Sequence, residues 1–305
     1  MSAGRASLGD FLESGSTPIP TGSGTAPHED FEFLSQLNHS MVPLEQRLWT
    51  ETVSADAAPL IISGLPRTGS TYLSQLLISS LELGYVSNLM ASFYRTPLVG
   101  AHMHNRFVNS DEVKQMEISS KVGRTSQPIG PSEYGWYWLS RLPFRNTNHE
   151  EVVGSQLALS LRQVDTELGK VMTILQQPMV LKCMVAPFIL DDFFAYTRAF
   201  VLVVDRGLDQ VQRSVLAVRR AHLPSAGNWW SIRPAGWEQK SELSPENQVA
   251  WQISRTYAAL EGGLEGWPNR YAKISFDDLI ERPTSVVEQV INSYKNSTGV
   301  ELTRR

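Results

Sequence analysis

The sequence predicts an α/β fold in three layers, α/β/α, with helices on both faces of a central parallel sheet, and three observations predict it. Pro59-Leu60-Ile61-Ile62 and Ala199-Phe200-Val201-Leu202-Val203-Val204 are short, unbroken apolar runs, as expected of strands buried on both faces. Each is followed by a turn and then by apolar residues at helical spacing: Leu73, Leu76, Leu77 and Leu81 after the first, Val211, Val215 and Val218 after the second. Strand and helix in alternation build a parallel sheet, because each crossover helix must pack back onto a face. Further strands are expected near residues 180 and 273.

The chain has 305 residues, 42% of them hydrophobic, enough for one large core. A formal charge of −4 argues against a nucleic-acid binder driven by bulk electrostatics. There is no apolar run of about 18 residues and no basic-then-apolar secretory pattern, so a cytoplasmic protein without a membrane span is expected. Cys183 is the single cysteine, which excludes an internal disulfide framework and reads as core. Residues 1–30, rich in Ser, Gly, Thr and Pro, are expected to be a loose segment ahead of a single domain over 31–305. Phe33, Leu34 and Leu37 open a helix that leads into the first strand. A late helix, from about residue 245 to 265, turns Trp251, Ile253, Tyr257 and Leu260 toward the core.

The first strand runs into Gly64-Leu65-Pro66-Arg67-Thr68-Gly69-Ser70-Thr71. A phosphate-binding loop reads G-x-x-x-x-G-K-[ST] between a strand and a helix. Gly64, Gly69 and Thr71 fit that spacing, but Ser70 stands where the lysine belongs. Without that lysine the loop lacks the fixed cation of γ-phosphoryl transfer. Arg67 supplies a cation inside the loop instead, which suits one terminal phosphate held by amides, hydroxyls and a guanidinium fork. The second strand ends at Asp205-Arg206, and Ser214 follows eight residues later on the buried side of the next helix. Ligands of parallel sheets bind beyond the carboxyl ends of strands, so Arg206 and Ser214 form a candidate second phosphate site on the same rim.

These two motifs together resemble the sulfotransferases that use 3′-phosphoadenosine 5′-phosphosulfate (PAPS) as sulfonate donor and leave 3′-phosphoadenosine 5′-phosphate (PAP) as product. The resemblance implies a P-loop-like sulfotransferase fold. It implies that Arg67, Thr68, Gly69, Ser70 and Thr71, with Tyr72 beside them, bind the 5′ side of the donor, and that Arg206 and Ser214 bind the 3′ phosphate. It extends over roughly residues 59–299: Val180-Leu181-Lys182 resembles the family's strand ending in a lysine near the transferring sulfonate, GPSEYGWYW a substrate-side segment of bacterial members, and ISFDDLIERP a late strand and turn. Where family members often read Arg-Asp-Pro this chain has Arg206-Gly207-Leu208, and Met184 stands where the cytosolic phenol and hormone branch has a histidine. A late Arg-Lys-Gly loop is also missing, so the bacterial or carbohydrate-type branch fits better.

Sulfonate transfer needs an in-line attack and positioned cations for the charge that moves onto the leaving phosphate. Arg67 and Lys182 are the candidates, and the scheme requires no metal. The acceptor, a saccharide or other small molecule with a hydroxyl, also needs a general base. Glu133 is the first choice, with a solvated loop glutamate as the equal alternative; His102 and His104 are the second choice, their spacing lacking a third metal ligand. Trp136, Tyr137, Trp138, Trp229, Trp230 and Trp237 either stack on a ligand ring or pack beneath loops. Arg219-Arg220 and Arg304-Arg305 either meet an anion or are solvated. The segments from about 85 to 150 and 221 to 245 are expected to cover the acceptor side. Two other readings are a nucleotide-dependent kinase with an altered loop, in which Asp205 would hold Mg²⁺, and a non-catalytic nucleotide-binding protein.

Overall fold

The computed structural model describes residues 28–108, 113, 125, 127–145, 148–222 and 229–305. The expected loose segment therefore lies outside the described residues except for 28–30, which begin helix α1 (His28–Glu51). Five strands form one sheet: β1 (Leu60–Ser63), β2 (Gly84–Tyr85), β3 (Met179–Lys182), β4 (Phe200–Asp205) and β5 (Tyr271–Ser275), in the order β2-β3-β1-β4-β5. Every pairing is parallel. The first strand in sequence thus lies at the centre, between two strands that arrive later. Its carboxyl end opens at the point where strand order reverses, where an open α/β sheet leaves a crevice.

Alternation along the strands builds two cores. Ile61, Leu181, Val201 and Val203 face one way and pack with Leu161, Val164 and Leu168 of α6 (Gly154–Leu175) and with Phe193 of α7 (Leu190–Tyr196). Leu60, Ile62, Val180, Leu202 and Val204 face the other way, against Leu73 and Leu77 of α2 (Ser70–Ser80) and Val286, Val290 and Tyr294 of α11 (Pro283–Thr298). A strand buried on both faces cannot alternate polar and apolar residues, which is why β1 and β4 read as continuous apolar runs.

Between these elements lie α3 (Asn88–Ala91), α4 (Pro97–Phe107) and α5 (Gly135–Arg141), then α8 (Leu208–His222), α9 (Pro245–Glu265) and α10 (Phe276–Glu281). A third, smaller core of Leu65, Val211, Val215, Val249 and Ile253 fastens the loop after β1 to α8 and α9. Trp251 departs from expectation: it is only partly buried and meets Trp229 edge-on at 6.0 Å. β2 is the strand that periodicity does not disclose. It is two residues long, and Gly84 is needed there because a Cβ would lie 2.8 Å from Leu175 Cδ1. Among the described residues no helix is long and apolar enough to cross a membrane.

Candidate active site

The loop from Gly64 to Gly69 turns through three residues with positive φ: Gly64 at 125°, Arg67 at 64° and Gly69 at 97°. Glycine carries no Cβ penalty in that region, which accounts for both glycines of the motif. Thr68 Oγ1 donates to the Leu65 carbonyl at 3.1 Å and closes the turn, while Leu65 is anchored in the core it shares with α8 and α9. Gly69 caps α2, and Ser70 and Thr71 lie buried in its first turn. A helix start leaves backbone N–H groups without intrahelical partners and carries partial positive charge, which favours an anion.

The second motif converges on this loop. Arg206 Nη1 donates to the Arg67 carbonyl at 2.8 Å, and Arg67 Nε donates to Ser214 Oγ at 3.2 Å. Residues 139 and 147 positions apart in sequence therefore share one rim. Burial, and then the charge of Arg206, lower the pKa of Arg67, while Glu133 acts in the opposite sense. Burial and a neighbouring guanidinium both disfavour the charge on Arg67, and an anion entering the site would relieve that cost. Tyr72, next to Thr71, is partly buried and packs against the core between the sheet and α11.

Lys182 ends β3, and its register opposite Ile62 sets it beside the carboxyl end of β1. Its ammonium is buried, donating to Thr71 Oγ1 at 2.9 Å and to Glu133 Oε1 at 2.5 Å. The Glu133 side chain remains 44% exposed, so one end of the pair is dry and the other wet. Trp138 Nε1 fixes the Lys182 carbonyl at 2.6 Å. Tyr134, in a left-handed conformation at the start of α5, is buried and stacks on Tyr137 with ring centroids 4.4 Å apart. Of the two readings of the aromatic residues, packing beneath the loop describes Tyr137 and Trp138. Trp229 is buried as well, 5.6 Å from Trp237.

The histidines are placed differently. His104 Nδ1 lies 3.0 Å from Ser87 Oγ, its ring edge-on to Tyr85, and burial lowers its pKa to about 4. Ser87 Oγ also accepts the Met90 N–H at 3.1 Å, so His104 Nδ1 is engaged with a capping hydroxyl in the core. His102 is exposed on the same helix. Among the described residues, no hydrogen bond or ion pair joins either histidine to Lys182, Glu133 or the loop. Cys183 is fully buried, which raises its thiol pKa. Arg305 donates to Ile78 O and Leu81 O and so closes the far end of α2, away from the loop. Arg219 is buried against Gln248, and Arg220 pairs with Glu246.

Sequence reasoning does not single out Phe276, over whose ring the Arg206 guanidinium lies at 4.0 Å. The contact follows from the β4–β5 register, Asp205 opposite Ser275, and no local pattern encodes a register between strands so far apart.

No protein-family model matches the chain, and no curated protein matches it in sequence. Solved structures do. Sulfotransferase STF1 from Mycobacterium tuberculosis H37Rv matches with a TM-score of 0.51 at 15% identity, over 86% of this chain and 72% of that one. Sulfotransferase STF9 from Mycobacterium avium matches with a TM-score of 0.56 at 12% identity, over 96% of this chain and 78% of that one. At such low identity the likeness is one of fold, an α/β architecture with a parallel sheet flanked by helices.

Proposed function

The chain has the sulfotransferase fold, and on that premise we propose that it moves the sulfonate group of PAPS to a hydroxyl of a saccharide or other small metabolite. The observation that carries this reading is the joining of the two motifs, Arg206 to the Arg67 carbonyl and Arg67 to Ser214, at the mouth of a loop that lacks the kinase lysine. One site for two separated phosphates is what a 3′,5′-bisphosphorylated donor requires. The residues present fit that donor: two guanidinium groups, buried hydroxyls and a helix start.

In this reading Arg67, Thr68, Gly69, Ser70 and Thr71 hold the 5′ side, and Arg206 and Ser214 the 3′ phosphate. PAPS supplies the sulfonate that is transferred. Lys182, fixed by Thr71 and Glu133, provides an ammonium that need not reorganise as negative charge develops on the leaving oxygen. Glu133, exposed on one side, takes the proton of the acceptor hydroxyl, and Lys182 beside it holds the carboxylate in place. In this reading the described parts of the segments from about 85 to 150 and 221 to 245 form the acceptor side.

The test is calorimetric titration with PAP beside ADP, with Arg206→Ala as the control. Binding of PAP in preference to ADP, lost in the variant, supports the donor assignment and justifies an acceptor screen with PAPS. Preference for ADP, indifferent to Arg206, overturns it.

A further inference from the structure

We propose that Phe276 is a positioning residue for Arg206, holding its guanidinium where it distinguishes a nucleotide with a 3′ phosphate from one without. The inference rests on the donor site proposed above and assigns it a specificity-determining residue. The parallel register sets Asp205 opposite Ser275, so the residues that follow, Arg206 and Phe276, leave the sheet side by side. Ser275 accepts the Asp278 N–H at 3.3 Å as the cap of α10, which turns the chain at that point and keeps the ring at the rim. The Arg206 guanidinium lies over the ring at 4.0 Å. The ring also touches the end of the loop: a Cβ on Gly69 would lie 3.2 Å from both Cδ2 and Cε2 of Phe276. Phe276 is thus wedged between the last glycine of the first motif and the arginine of the second.

The wedge matters because Arg206 is otherwise poorly held. It is only partly buried, and Arg67 is close enough for the two charges to oppose each other. Its backbone-directed bond to Arg67 O and a bond from Nε to Gln210 Oε1 at 3.1 Å use two of the five guanidinium N–H groups. A partly exposed side chain held by two hydrogen bonds can swing toward solvent once the ring is removed. Attraction between the cation and the ring face opposes that swing and fixes the plane in which the remaining donors lie. The side chain that the ring holds is the one assigned to the 3′ phosphate, whereas Gly69 meets the ring without bonding to it, so removing the ring should cost affinity chiefly where a 3′ phosphate is present.

The experiment compares dissociation constants of the full chain for PAP and for adenosine 5′-phosphate (AMP), which differ only in the 3′ phosphate. In the wild type PAP should bind more tightly. Phe276→Leu should narrow the PAP-to-AMP ratio about three-fold or more, with AMP affinity unchanged, and Phe276→Tyr should retain the wild-type ratio. Thermal melting checks that each variant is folded; should Leu not fold, Phe276→Met removes the ring with an unbranched, more adaptable side chain and carries the same expectation. An equal loss for both ligands would mean that the ring acts on the shared nucleoside, and an unchanged ratio that it does not act on the 3′ site; either overturns the inference. A wild type without preference for PAP overturns the donor assignment itself, a result visible before any variant is made.

Discussion

Gly69→Ala tests how the phosphate loop is built. The backbone there has φ of 97°, and a left-handed conformation costs an L-residue about 1–2 kcal/mol. The new methyl would lie 3.2 Å from two ring carbons of Phe276, closer than ordinary van der Waals contact, and 3.4 Å from Leu279 Cδ2, at the edge of it. Phe276 has little room to withdraw, because Arg206 lies over its ring, so crowding adds about 1 kcal/mol or more. The expected destabilisation is about 3 kcal/mol in all, measured by urea unfolding. Displaced amides should also weaken PAP binding about tenfold, the equivalent of one hydrogen bond to a charged group. Gly262→Ala is the matched control: it lies in α9 with no atom within 4 Å of an added Cβ, and should stabilise by about 0.5–1 kcal/mol. If Gly69→Ala unfolds at the wild-type urea concentration and binds PAP as well as the wild type does, the reasoning about this turn is refuted.

Three further outcomes are expected. Lys182→Met should slow sulfonate transfer from PAPS by about 10²–10³-fold while changing stability by no more than about 2 kcal/mol, because its partner Glu133 is 44% exposed and stays hydrated. Initial rates and melting curves separate the two effects, and a collapse of stability would mark the lysine as structural. Glu167→Ala should cost about 3–5 kcal/mol in urea unfolding, since it strands Arg141 in a pair whose side chains are both 1% exposed. Burial holds His104 at about 4 instead of 6.5, so between those values the unfolded chain binds a proton that the folded chain refuses. Its contribution is therefore intact above pH 6.5 and lost as pH falls toward 4, by about 3 kcal/mol at most. His104→Phe should lower the slope of unfolding free energy against pH across that window, to which the buried His149, also held at about 4, contributes in the same sense, and an unchanged slope would show that His104 makes no contribution.

The sequence by itself determined the parts whose signal is local. β1 and β4 are unbroken apolar runs because both their faces are covered, α2 and α8 show helical spacing, and the glycines at 64 and 69 mark positive φ. Arg67, Arg206 and Ser214 were legible because each stands at a fixed offset from a strand end. Only the tertiary structure decided what meets what. Strand order brings Arg206 and Ser214 to Arg67, β3–β1 register brings Lys182 to Thr71, and β4–β5 register brings Phe276 to Arg206. Glu133 reaches Lys182 across 49 positions of sequence. His104 carries the same spacing signal as any candidate base, yet Ser87 and Tyr85 enclose it in the core. Periodicity reports how a residue relates to its own element, whereas these contacts depend on how elements pack, and that is settled by burial of the two sheet faces together.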